Sequence, residues 1–167
     1  MAENLEVAKG SKEAKYELLY RQIKSLAEDE TDAIALMENV ASMIHYTFGF
    51  LWTGFYRVKG DVLVLGPYQG PLACSRIPYG KGVCGTAWRE NKTQIVADVD
   101  SFPGHIACSS ESRSEIVIPL VCGGKVVGVL DIDSRFPGCF DETDGYWLEK
   151  ITDIMVSADI LGNECQE

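Results

Sequence analysis

A chain of 167 residues, 46% hydrophobic and 24% charged, has the length for one domain with a substantial buried core and the make-up of an ordinary globular protein. Its formal net charge of −10 argues against nucleic acid or an anionic membrane as the main partner, because both attract basic patches. The opening MAENLEVAKG has neither the apolar core nor the cleavage site of a signal peptide, and no apolar run approaches bilayer-spanning length. The expected compartment is therefore the cytoplasm. There the six cysteines predict no lasting disulfide framework, with transient redox chemistry as the exception.

Residues 1–10 read as frayed. Ser11 suits an N-cap, and Tyr16, Leu19, Tyr20, Ile23 and Leu26 recur at three- and four-residue spacing, which predicts an amphipathic helix over about 12–28. After the acidic EDETD linker, Asp29 or Thr31 can cap a second helix. Its stripe would be Ile34, Met37, Val40, Met43 and Ile44, and Gly49 would end it. Leu51 to Val58 and Val62 to Leu65 then read as a hairpin about Lys59-Gly60-Asp61. The Gly- and Pro-broken stretch 66–82 is a loop, followed by a short helix over 83–90 and a short strand over 93–96. A long polar loop, 98–113, leads into a second hairpin, Glu115 to Val121 and Val126 to Asp133, turning at Gly123-Gly124. A last helix, capped within Asp141-Glu142-Thr143-Asp144, would bury Leu148, Ile151, Ile154, Met155, Ala158 and Leu161. Strands joined by hairpins imply an antiparallel sheet of about six strands, with the N- and C-terminal helices packed on one face: an α+β fold in a single domain, 1–167, with its core over about 16–161.

Gly80-Lys81-Gly82-Val83-Cys84-Gly85 contains G-x-G-x-x-G, with Asp100 near the distance a dinucleotide site would place an acid. That fingerprint must leave an apolar strand inside a βαβ unit, and ACSRIPY is not one. The string reads as a tight turn opening a helix. It puts Cys84 in the first turn, where the helix dipole would favour a thiolate. Asp131 and Asp133 lie two apart on a strand and so share a face with Val127 and Val129, and Glu115 on the neighbouring strand can reach it. Three acids on one face are either a solvent-exposed strand end or a buried site that needs a cationic partner or a raised pKa. Trp52 and Tyr56, four apart, are core aromatics or the apolar wall of a small-molecule pocket.

Cys122, Cys139 and Cys165 occupy a turn, a loop and a terminus and read as incidental. Cys74, Cys84 and Cys108 fall in or beside the two long loops. Their spacing with His105, C-x9-C-x23-C, lacks the close pair of structural zinc sites. A Cys/His hydrolase needs an orienting base, and the only histidines are His45, inside a predicted helix, and His105. Thiol redox chemistry remains: an accessible thiolate, a resolving cysteine on a loop and an external reductant.

The order of these elements resembles a GAF domain, and more narrowly the free methionine-(R)-sulfoxide reductases, which are single-domain GAF enzymes. The resemblance runs from about Tyr16 to Leu161. It is carried by WTGFYR (52–57), GPYQGPLAC (66–74), IPYGKGVCGTAW (77–88), FPGHIACSSESRSEIVIPL (102–120) and GVLDIDS (128–134). It implies that Cys108 attacks the sulfoxide sulfur, that Cys74 resolves the resulting sulfenic acid through a Cys74–Cys108 disulfide, and that Cys84 is an auxiliary thiol lining the site. It further implies that Glu115, Asp131 and Asp133 bind substrate, with Trp52 and Tyr56 as the aromatic wall. The implied partners are free methionine-(R)-sulfoxide and thioredoxin as reductant, with no metal or organic cofactor, and the family precedent leans towards a homodimer. Two other classes compete: a non-enzymatic GAF sensor of a nucleotide or other metabolite, and a thiol oxidant sensor acting through a partner protein.

Overall fold

A computed structural model of the chain describes residues 4–157. Its sheet has six antiparallel strands: β1 (Trp52–Lys59), β2 (Val62–Gln69), β3 (Arg76–Pro78), β4 (Gln94–Val96), β5 (Ser114–Cys122) and β6 (Lys125–Ser134), in the spatial order β3-β2-β1-β6-β5-β4. Helices α1 (Lys12–Asp29), α2 (Ala33–Phe48) and α4 (Glu142–Ser157) cover one face. The short helix α3 (Gly82–Glu90) and the loops 70–75 and 98–113 lie over the other. This bears out the α+β sheet with terminal helices on one face. Among the described residues, no helix is long and apolar enough to cross a membrane.

The helices form where period and caps agree. Ser11 Oγ accepts from the Ala14 amide, and α1 buries Tyr16, Leu19, Ile23 and Ala27 along one stripe. The cap of α2 is Asp32, whose carboxylate accepts from the Ala35 amide. It displaces the expected Asp29 and Thr31 because α1 runs to Asp29 and Glu30 binds the Thr31 and Asp32 amides. The buried stripe of α2 is Leu36, Met37, Val40, Ala41, Ile44 and Thr47. Ile34, expected inside, is 46% exposed: the buried stripe is centred on Leu36, Val40 and Ile44, which leaves Ile34 off that face. Of the expected stripe in α4, Leu148, Ile151 and Met155 are fully buried, while Ala158 and Leu161 lie outside the described residues.

Strand β2 runs four residues beyond the expected Leu65, and β3 forms inside the stretch 66–82 where a loop is expected. Pro67 and Pro78 argue against strands there. Both sit at the sheet's irregular rim, where a β2 irregularity and a three-residue edge strand tolerate missing donors. A bulge also corrects the face assignment on β6. Leu120 pairs with Gly128 but Val121 pairs with Val126, so Val127 is the extra residue and turns toward the helices. Val129 stays on the α3 side with Asp131 and Asp133.

One buried polar knot fastens α1 to α4. The carboxylate of Asp144, 1% exposed, accepts from the Tyr16 hydroxyl at 2.7 Å, the Lys12 ammonium at 2.6 Å and the Asp141 amide at 2.9 Å. Asp144→Ala would strand the Tyr16 hydroxyl and the Asp141 amide, while Lys12 keeps the Asp141 carboxylate at 3.2 Å. It is expected to cost about 3 kcal/mol of unfolding free energy, read as a lowered urea midpoint, while Tyr16→Phe costs only about 1.

Candidate active site

The face away from the terminal helices carries a pocket whose floor is three adjacent strands. Register stacks Trp52, Asp133 and Glu115 in one row across β1, β6 and β5, and Gly54, Asp131 and Val117 in the next. Two carboxylates opposed on neighbouring strands are a destabilising pair, so this row is not there for the fold. The pocket is lined by Trp52, Tyr56, Cys84, Cys108, Glu115, Asp131 and Asp133, with Leu72, His105, Ile106 and Ser112 at its margins, and encloses about 40 Å³. Seven of the eight residues picked out in the sequence meet there. The eighth, Cys74, is joined to Cys108 by a disulfide with Cα atoms 5.5 Å apart.

Local structure explains the convergence. The Trp52 indole stacks on Tyr56 and Tyr68 with centroids 5.9 and 5.2 Å away, lying over Gly54, where a Cβ would come within 2.6 Å of its ring. The same two aromatics hold the Cys74 segment: Trp52 Nε1 donates to the Pro71 carbonyl at 3.1 Å, and the Tyr56 hydroxyl donates to the Cys74 carbonyl at 2.9 Å. Ile106 packs on Gly82, whose φ of 61° strains any residue with a side chain and whose Cβ would press Ile106 at 3.2 Å. The glycine string is thus the turn into α3 that seats Cys84 in the pocket.

The acids are buried, not exposed. Glu115 and Asp131 are each only 6% accessible. Burial and mutual repulsion with Asp133 push both carboxyls well above the usual carboxylate range. A hydrogen bond joins the two, so the pair holds a proton to higher pH than free carboxyls do. Asp131 Oδ1 keeps no partner. Burial raises Asp133 to about 6, against the opposing pull of the Ser112 hydroxyl, which donates to it, and of His105. His105 Nε2 lies 3.6 Å from Glu115 Oε2.

Cys84 departs from expectation. Its Sγ is 4.0 Å from Glu115 Oε1, and burial together with Asp131 and Glu115 pushes the thiol well up. Desolvation and two acids outweigh the partial charge of a nine-residue helix. Cys122 is also corrected: it is disulfide-bonded, not an incidental turn residue. Cys165 lies outside the described residues. His45 bonds Thr53 from α2 and takes no place in the pocket. Ser112 was missed in the sequence. Its one signal in the sequence is its place at the end of the polar loop 98–113, three residues before Glu115.

A proton held in the fold but lost from the unfolded chain makes stability fall as pH rises. For Asp133 the window lies between the ordinary 3.8 and about 6, so its contribution is most favourable below the window and gone above it. The wild type is expected to lose about 2 kcal/mol more than Asp133→Asn between pH ~4 and ~6.5, measured as the difference in urea-derived stability at the two pH values.

A curled antiparallel sheet with helices on one face and a loop-roofed pocket on the other defines the GAF class, and the GAF domain family matches residues 28–158. The chain belongs to this family. It is 53% identical to "GAF domain-containing protein A" of Dictyostelium discoideum, over 93% of this chain and 99% of that one. It is 44% identical to the "Free methionine-R-sulfoxide reductase" of Escherichia coli, over 81% and 83% of the two chains. A crystal structure of free methionine-R-sulfoxide reductase from Neisseria meningitidis in complex with its substrate superposes with a TM-score of 0.92 at 46% identity, covering 98% of this chain and 97% of that one.

Proposed function

We propose that the protein reduces free methionine-(R)-sulfoxide to methionine. The observation that carries this reading is the Cys74–Cys108 disulfide at the margin of a pocket floored by Glu115, Asp131 and Asp133. The names of the Escherichia coli and Neisseria meningitidis relatives support the choice of substrate.

In the reduced protein the Cys108 thiolate attacks the sulfoxide sulfur. The proton held by Glu115 and Asp131 passes to the departing oxygen, which a carboxyl of raised pKa suits. Methionine leaves with two more electrons than the sulfoxide had, and Cys108 becomes a sulfenic acid. The Cys74 thiol then displaces water from that sulfur and closes the disulfide. A dithiol protein such as thioredoxin reopens it by exchange. Leu72, 87% exposed and two residues from Cys74, offers such a protein an apolar contact beside the disulfide. The substrate ammonium pairs with the carboxylates, and Trp52 and Tyr56 pack on its thioether portion. The loops 70–75 and 98–113 roof this pocket, which favours a free amino acid over a residue within a peptide chain.

Thioredoxin-coupled NADPH oxidation tests the proposal. Turnover is expected with the free R epimer, and none with the free S epimer or a peptide-bound sulfoxide. Disulfide formation by peroxide without consumption of any sulfoxide would replace the enzyme reading with an oxidant sensor.

A further inference from the structure

The disulfide form encloses about 40 Å³ beneath the Cys74–Cys108 bridge. That is room for an ion and a water. Into this space point one thiol and two carboxyls on three different elements: Cys84 on α3, Glu115 on β5 and Asp131 on β6. One ligand atom from each lies within 4.8 Å of the others, and all three residues are buried. Asp131, only 6% exposed, aims an oxygen with no hydrogen-bond partner into the site. An unpaired buried carboxylate oxygen is costly, so its presence points to a ligand that completes it.

We propose that Cys84, Glu115 and Asp131 form a binding site for a thiophilic divalent cation of the zinc class in the oxidised protein, with His105 beside Glu115 as the candidate fourth ligand. The donor set selects the ion. One sulfur with carboxylate oxygens and an imidazole suits zinc, whereas magnesium and calcium favour all-oxygen shells of higher coordination. A separation of 4.0 Å between Cys84 Sγ and Glu115 Oε1 needs only a small contraction to span a tetrahedral edge about one metal. Binding is acid–base and not redox. The cation displaces the thiol proton and the proton shared by the carboxyls into solvent, and the sulfur keeps its oxidation state. This differs from the zinc set weighed in the sequence, which used Cys74 and Cys108; both are consumed by the disulfide. The site stands on this geometry whichever substrate the reduced pocket takes.

The test uses the full chain with its Cys74–Cys108 disulfide closed, stripped of metal and titrated with Co²⁺ alone as the optical probe. One equivalent is expected to bind, with a thiolate-to-cobalt charge-transfer band and the visible bands of four-coordinate geometry. Zn²⁺ should bleach both, and excess Mg²⁺ should not. Cys84→Ser should remove the charge-transfer band, and Asp131→Asn should weaken Zn²⁺ binding about tenfold or more, since even outer partners of metal ligands are worth that much. Cys139→Ser, which removes the other free thiol among the described residues, should leave the spectrum unchanged. No thiolate band in the wild type overturns the proposal. So does a band that survives Cys84→Ser, or one lost in Cys139→Ser. Should Cys84→Ser fail to fold, Asp131→Asn and Cys139→Ser still decide: unchanged Zn²⁺ affinity in Asp131→Asn excludes the site.

Discussion

Cys108→Ser is expected to yield no methionine at all, even when enzyme is in excess over methionine-(R)-sulfoxide and no recycling is needed. A serine oxygen cannot accept the sulfoxide oxygen, so the first covalent step is lost and not merely slowed. Cys74→Ser should behave differently. Its nucleophile is intact, so one methionine per enzyme is released and Cys108 remains as a sulfenic acid, open to trapping by a dimedone-type reagent. Multiple turnover with thioredoxin should then fall to a small residue, because no Cys74 thiol stands beside Cys108 to close the exchangeable bond. Methionine per enzyme in a single-turnover assay separates the two roles. A full equivalent from Cys108→Ser, or none from Cys74→Ser, would reverse the assignment of nucleophile and resolver.

Asp131→Asn and Glu115→Gln should each lower kcat by about 10²–10⁴, the usual worth of a positioned general acid. The amides match the carboxyls in shape, so packing survives, but neither holds the shared proton nor pairs with an ammonium. The stability readout should move the opposite way. Glu115 and Asp131 are each desolvated and each repelled by Asp133, and a neutral amide relieves both costs. Asp131→Asn is therefore expected to unfold at an equal or higher urea concentration than wild type at pH 7 while losing most of its activity. A site under functional strain has this pattern, in which the residues that cost stability are those that carry the chemistry. Full activity in both variants would remove the acids from the mechanism.

Much of the fold was legible because hydrophobic period and caps agree along the chain. Ser11 and Gly49 mark helix ends, Gly60 and the Gly123-Gly124 pair mark hairpin turns, and the stripes of α1 and α4 face the core as read. What failed were features set by neighbours. The edge strand β3 is too short to carry a period of its own and exists through its pairing with β2. The turn of Val127 to the helix face depends on how β6 accommodates β5, since one extra residue reverses a side chain while leaving the composition unchanged.

The sequence by itself determined the element order, the antiparallel hairpins, the shared face of Asp131 and Asp133, and the set of residues worth watching. These follow from local rules: a period of two or 3.6, turn chemistry and side-chain type. Only the tertiary structure decided that the acids are buried, that Glu115 and Asp131 share a hydrogen bond, and that Cys84 sits among them with its thiol pushed up and not down. Protonation depends on desolvation and on charges within a few ångströms, and those distances arise only when α3, β5 and β6, far apart along the chain, close on one another.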